Sequence, residues 1–104
     1  LAHLGAVDAA LAAADATLKA VADEFDADAL NRKGRAELLA RRARAVAETA
    51  VDQALARTGR ALGPGPLSMD GAHAARVADL SIYVRQSHAE RDLARLGELA
   101  GATA

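Results

Sequence analysis

The sequence has no cysteine and no tryptophan, and only one phenylalanine, one tyrosine and two prolines among its 104 residues. Without cysteine, a disulfide framework and a thiolate metal site are both excluded. Because aromatic side chains are so few, any core must form by close approach of elements that carry small and aliphatic side chains. A chain of this length makes one domain at most, with a small core.

Long apolar runs are also missing. No stretch approaches the roughly 18 consecutive apolar residues of a membrane span, and the start has no basic region followed by an apolar run. We therefore expect a protein of the cytoplasm that makes no membrane contact. The first residue, Leu1, is not an initiator methionine, which suggests a fragment or a processed chain.

Alanine is the most abundant residue, with 30 copies, and long stretches lack proline and glycine. Alanine, leucine, arginine and glutamate are strong helix formers, so the composition predicts an all-α fold. The net charge of −1 is unevenly spread: residues 1–28 sum to −5 and residues 29–62 to +5. We expect the acidic first helix to lie antiparallel to the basic second helix.

The basic segment has an alternative interpretation, a surface for RNA or phosphate that uses its arginines. The residues concerned are Arg35, Arg41, Arg42 and Arg44. This segment lacks the interleaved aromatic side chains on which bases stack. We therefore do not expect nucleic acid as a partner.

Hydrophobic periodicity predicts a first helix over about residues 4–25. Steps of three and four form a heptad seam, which consists of Leu4, Val7, Leu11, Ala14, Leu18, Val21 and Phe25. The stretch "DADALNRKG" then predicts a turn, because Asp and Asn favour turns and Gly34 can adopt a left-handed backbone.

A second helix is predicted over about 35–62 and a third over about 71–97. "GPGP" at 63–66 stops the second helix, and Asp70 suits the N-cap of the third. The fold expected for the single domain 1–104 is thus an antiparallel up-down bundle of three long helices. The apolar stripes on the second and third helices are wider than three helices need, so a fourth helix or a partner subunit should cover them.

Few side chains point to chemistry. His3, His73 and His88 are far apart in sequence and show no metal-ligand spacing, so no metal site is expected. Glycine-loop and nucleophile motifs do not appear. The simplest interpretation of His88 is a helix histidine bonded to Tyr83, Asp92 or a carbonyl; the alternative is a general acid or base.

The last part of the chain, "RTGRALGPGPLSMDGAHAARVADLSIYVRQSHAERDLARLG", resembles the end of the acyl-CoA dehydrogenase-like flavoproteins. In that family a bundle helix leads into a Gly-rich turn, and a last helix approaches the flavin. "RALG" at 60–63 would stand in the turn, and Asp79 would match the family's aspartate. The chain would be the last three helices of the four-helix C-terminal domain, without the first bundle helix.

The resemblance implies an FAD-dependent oxidoreductase acting on an acyl-CoA-type thioester. It places Gly63 and Arg60 at the cofactor. The position of the family's catalytic glutamate falls near Ser87, which is not a carboxylate, and Glu90 is nearly a turn further on. Either the base lies on the missing helix, as in some members of the family, or the chemistry differs. Flavin-dependent monooxygenases on the same fold use a histidine near this point, so His88 and Ser87 are the candidate catalytic residues.

Two further expectations follow from the resemblance. The chain should associate with itself as a homodimer or homotetramer, because that family's C-terminal domains pack into a tetramer core. The fragment alone should be inactive and should bind no FAD tightly, because most flavin contacts would lie outside it. The rival hypothesis is a non-enzymatic helical module that dimerises through the seam of the first helix.

Overall fold

The computed structural model describes residues 1–62, 71–85 and 89–102; for residues 81–85 and 89 it describes the backbone alone. Four helices make up almost all of these residues: α1 Ala2–Ala27, α2 Ala36–Leu62, α3 Gly71–Arg85 and α4 Ala89–Ala102. The described parts of the chain contain no strand, and the all-α prediction is confirmed. The stretch predicted as one helix over 71–97 is described as α3 and α4, and α4 continues five residues beyond its predicted end.

The turn between α1 and α2 has the chemistry that its sequence predicts. The amide of Asp28 donates to the carbonyls of Glu24 and Phe25 at 3.1 and 3.2 Å. The Asp28 carboxylate in turn accepts hydrogen bonds from the amides of Arg32 and Lys33, at 2.9 and 3.0 Å. These bonds satisfy backbone groups that the end of a helix leaves without partners.

Two residues of this turn have a left-handed backbone, Asn31 with φ 54° and Gly34 with φ 71°. Glycine adopts this conformation without a steric cost, and asparagine tolerates it better than most residues. The Asn31 side-chain oxygen also accepts a hydrogen bond from the amide of Ala36, the first residue of α2, at 3.0 Å. The turn therefore ends α1 and starts α2 in a fixed geometry.

Helix α2 is central, and the extensive helix–helix packing of the described residues all involves it. At one end of the α1–α2 pair, Arg35 binds Glu24 at 3.1 Å; at the other end, His3 and Val7 lie beside Thr58. These contacts show that α1 runs antiparallel to α2, as the charge pattern predicts. Helix α4 is also antiparallel to α2, because Arg41 binds Asp92 while Glu37 binds Arg95.

Only half of the predicted seam on α1 faces α2. Ala14 and Val21 are buried at 7% and 6% exposure, whereas the alternate row stays exposed. The exposed fractions are 68% for Leu4, 53% for Leu11, 43% for Leu18 and 38% for Phe25. The row that packs carries small side chains, which let the two helices approach closely, and the leucines then lie to one side of the contact.

The core of the described chain is small. Its buried apolar residues are Ala14, Val21, Leu38, Leu39 and Ala50. The molecule measures 52 × 26 × 22 Å, and its radius of gyration is 16.5 Å. A compact domain of this length has a radius of gyration near 13 Å. The helices are therefore arranged in an elongated, open form that leaves apolar side chains uncovered.

Candidate functional site

Three of the four predicted site residues, Gly63, Ser87 and His88, lie outside the described residues, as do Asp70 and the "GPGP" stretch. The fourth, Arg60, is exposed and lies in the last turn of α2. The predicted catalytic and cofactor roles of these residues remain predictions.

The two carboxylates named alongside them are both described. Asp79 lies on α3 and is exposed, and Glu90 lies exposed in the first turn of α4. Asp92, which the sequence offers as a partner of His88, binds Arg41 of α2 at 3.1 Å. Its carboxylate is thus used in joining α4 to α2.

A pocket of about 230 Å³ lies between the C-terminal half of α2 and the start of α3. Its walls are mainly apolar, and its polar members come from both helices. It is lined by Ala54, Leu55, Thr58, Gly59, His73, Arg76, Val77 and Leu80. The pocket is somewhat smaller than a site for a drug-sized ligand, which occupies 300 Å³ or more.

One arginine, Arg76, lines this pocket, and Arg57 and Arg60 lie on the same end of α2. Asp79 precedes the lining residue Leu80 in the sequence but does not itself line the pocket. An apolar pocket with an arginine in its wall suits a molecule that has an apolar part and an anionic group. We call this region the cationic end of α2.

A second pocket of about 220 Å³ lies beside it, between the start of α1 and the end of α2. It is lined by His3, Leu4, Val7, Arg57, Thr58, Ala61 and Leu62. The Nδ1 atom of His3 is buried there and has no hydrogen-bond partner among the residues that the structure describes. Arg57 adds a cation to this pocket as well, so positive charge extends to the α1 side of the same end.

Three of the four arginines of the basic segment, Arg35, Arg41 and Arg44, are placed differently, because they are engaged in ion pairs. Arg35 binds Glu24 at 3.1 Å, and Arg44 binds the buried Glu48 at 2.7 Å. Arg41 binds Asp92. Glu37 and Arg41, which are four residues apart on α2, are only loosely paired at 3.9 Å, and Glu37 binds Arg95 of α4 more closely, at 2.9 Å. These pairs leave less free positive charge for a phosphate surface along this part of α2.

Arg95 is the centre of the contact between α4 and α2. It donates to Glu37 at 2.9 Å and to Glu98 at 3.1 Å. The hydrogen bond to Glu37, followed by the bond to Glu98, raises the pKa of Arg95. Because an arginine is protonated at every ordinary pH even without this shift, the contact between Arg95 and Glu37 does not depend on the titration of Arg95.

No family model matches the chain, and neither a curated protein nor a solved structure matches it. The flavoprotein resemblance therefore depends on the order and spacing of the residues quoted above. Among the described residues, no three His, Asp or Glu side chains form a group that would hold a metal ion. No helix in the described ranges is both long and apolar enough to cross a membrane.

The pocket at the cationic end was missed by reasoning from the sequence. A signal for it exists, since His73, Arg76, Val77 and Leu80 follow steps of three and four and so share one face of the predicted helix. That pattern alone does not show which part of α2 this face meets. The pocket exists because residues 54–59 of α2 leave space beside that face.

Proposed function

We propose that this chain is the C-terminal helical bundle of an FAD-dependent acyl-CoA dehydrogenase-like oxidoreductase. Its role there is to join subunits and to form one wall of the flavin and substrate site. Alone, the chain is inactive. The protein acts in the cytoplasm, and its substrate is an acyl-CoA-type thioester.

The observation that carries the proposal is the amount of apolar surface left uncovered. Leu4, Leu11 and Leu18 on α1 are 43–68% exposed, while Leu80 on α3 is 42% and Leu93 on α4 is 47% exposed. Burial of apolar surface is the main stabilising term in folding and in most association. Helices that keep this much apolar surface exposed fit a part of a larger body better than an independent domain.

The cationic end of α2 supports the cofactor half of the proposal. Arg60, which the resemblance places at the flavin, lies on the same end as Arg57, Arg76 and His73. Flavin adenine dinucleotide joins flat apolar rings through a pyrophosphate. Apolar pockets beside arginines are the kind of surface that such a molecule requires.

The arrangement of the helices belongs to the same proposal. We infer an up-down bundle in which α3 and α4 together return along α2, because α3 lies beside residues 54–59 and α4 beside residues 37–41. A further helix of the parent protein would complete a four-helix bundle. His88 and Ser87 would then lie on the returning segment, near the flavin.

The test is to read the coding sequence upstream of Leu1, to express the whole reading frame, and to measure flavin released per chain. We expect about one FAD per full-length chain and bleaching of its visible absorbance when an acyl-CoA is added without oxygen. The 104-residue chain alone should carry no stoichiometric flavin. A start codon directly before Leu1, or a full-length protein that never binds FAD, would refute the proposal.

Arg60→Gln in the full-length protein tests the cofactor wall. It should lower flavin occupancy, because one arginine near the anionic cofactor is lost. The matched control is Arg32→Gln, which removes an exposed arginine from the turn between α1 and α2. Equal flavin occupancy in the two variants would show that Arg60 is not part of the flavin site.

A second candidate function is favoured by the exposed leucine row of α1, namely a non-enzymatic module that dimerises through this helix. Leu4, Leu11 and Leu18 are spaced seven residues apart, as in helices that pair with other helices. The upstream coding sequence separates the two candidates. A short reading frame without flavoprotein domains would favour the module.

A further inference from the structure

Two rows of residues share one face of the α1–α2 pair. The row on α1 is large and apolar and consists of Leu4, Leu11, Leu18 and Phe25. The row on α2 is small and consists of Ala36, Ala40, Ala43, Ala47, Val51, Ala54 and Thr58. We call these rows together the leucine–alanine face.

The structure places these rows side by side along most of the two helices. Near one end, Leu4 and Thr58 line a common pocket, and near the other end Phe25 and Ala36 do so. Between them runs an open groove of about 270 Å³ that only apolar residues line. The lining residues are Leu11, Ala14, Leu18, Ala47, Ala50, Val51, Ala54 and Leu80.

We propose that this face binds the same face of a second copy of the chain, with α1 of each copy lying along α2 of the other. This proposal rests on the role in joining subunits that is proposed above, and it identifies the partner as a second copy of the chain. A two-fold axis parallel to the helices produces this arrangement, because it exchanges the positions of α1 and α2 while keeping each residue at its level along the axis.

Shape favours this occupant. Large side chains spaced seven residues apart on one helix fit holes between small side chains on another. Within one copy, Leu18 and Ala47 line the same part of the groove. In the dimer, Leu18 of one copy therefore lies over Ala47 of the other copy. The exposed α1 row becomes buried up to the level of Ala54 and Thr58, where α3 lies beside α2.

Charge selects the orientation. Residues 1–28 carry a net charge of −5 and residues 29–62 a net charge of +5. The proposed axis places each acidic α1 on the basic α2 of the other copy. The alternative two-fold axis, perpendicular to the helices, would place α1 on α1, with like charges opposed and leucines meeting leucines. Complementary charge at an interface fixes register and orientation more than it adds affinity.

The first experiment measures the mass of the 104-residue chain by sedimentation at tens of micromolar, with variants that target each row. Leu18→Glu places a charge in the leucine row, at a side chain that is 43% exposed. Ala47→Leu fills a hole in the alanine row. We expect a dimer for the native chain and at least tenfold weaker association for both variants, with unchanged helical circular dichroism.

Two matched controls lie off the face. Leu30→Glu adds the same charge in the turn, at a side chain that is 74% exposed, and Ala56→Leu adds the same bulk on an exposed position of α2. Both should still dimerise like the native chain. A native chain that is a stable monomer overturns the proposal, and so does an assembly that survives Leu18→Glu and Ala47→Leu unchanged.

The second experiment tests orientation, using the absence of native cysteine. One chain carries Leu18→Cys and another carries Ala47→Cys, and the two are mixed and oxidised. We expect the mixed disulfide to exceed the disulfide between two Leu18→Cys chains. The reverse result overturns the α1-on-α2 orientation. Flavin content of the full-length protein is a separate measurement, so failure of the dimer and failure of the flavoprotein proposal are distinguishable.

Discussion

At the scale of single residues, two glycines lie in opposite kinds of backbone conformation. Gly34 has φ 71° in the turn, whereas Gly59 lies inside α2. At both positions, an added Cβ atom would meet no other heavy atom within 4 Å. The two sites therefore differ in backbone conformation and not in available space.

This difference predicts stability changes of opposite sign. Gly34→Ala should lower the free energy of unfolding by about 1 kcal/mol, because a left-handed backbone is strained for alanine. Gly59→Ala should raise it by roughly 0.5–1 kcal/mol, because alanine is the better residue inside a helix. Urea unfolding of the two variants beside the native chain is the measurement. The backbone assignment of Gly34 would be wrong if its variant were the more stable one.

The sequence identifies the role of Gly34 but not the role of Arg76 or His73. Turn chemistry is local. The side chains of Asp28 and Asn31 in "DADALNRKG" accept hydrogen bonds from backbone amides four or five residues further on. The pocket that Arg76 lines needs residues 54–59 of another helix. Sites of this kind depend on the relative placement of helices, which a local pattern does not contain.

At the scale of elements, α4 is joined to α2 by ion pairs as well as by apolar contact. The Nη1 atom of Arg41 is 3.1 Å from Oδ1 of Asp92, and both side chains are about one-third exposed, at 33% and 34%. Leu96 and Leu99 of α4 are half-buried. Charge pairing and apolar packing thus act together at this contact.

A double-mutant cycle on Arg41→Ala and Asp92→Ala measures the ionic part. We expect a coupling of about 0.5–1 kcal/mol at low salt, reduced at high salt, because the pair is partly shielded from water. The comparison pair is Lys19 and Asp15, which lie on the same helix, α1, and are 75% and 64% exposed; their coupling should be smaller. Equal couplings for the two cycles would show that the contact with α2 adds nothing to the ionic term.

The heptad pattern of α1 predicts that this segment is a helix, but it does not predict which face of the helix packs against α2. It predicts a helix correctly, and its small row, including Ala14 and Val21, does pack on α2. The pattern does not tell which of its two rows a single neighbour will contact. The alanine-rich surface of α2 decides this, since close approach at Ala50 brings the small row into the contact and leaves Leu11 and Leu18 outside it.

At the scale of the whole molecule, the elongated shape and the small core both reflect a structure with little interior. A radius of gyration of 16.5 Å and five buried apolar residues among those described belong to a structure with little interior. Small domains have few stabilising contacts to spare, and association is one way to add them. The exposed leucines show where the missing contacts would form.

Thermal unfolding should therefore depend on protein concentration. If the chain associates through the leucine–alanine face, the Tm of the native chain will rise as its concentration is raised, because dissociation accompanies unfolding. The Tm of Leu18→Glu should stay constant over the same range. Circular dichroism melts at several concentrations make the comparison. A native Tm that does not change with concentration would argue against stabilisation by self-association.

The helical class, the turn at residues 28–34 and the opposite charges of the first two helices follow from the sequence alone. These properties arise from propensities and charges that act within a few residues of one another. The packing of the helices fixes which row of α1 is buried, which arginines are paired and where a pocket opens beside Arg76. Those outcomes depend on how closely α1, α3 and α4 each approach α2, and that distance is set by side chains far apart in the chain.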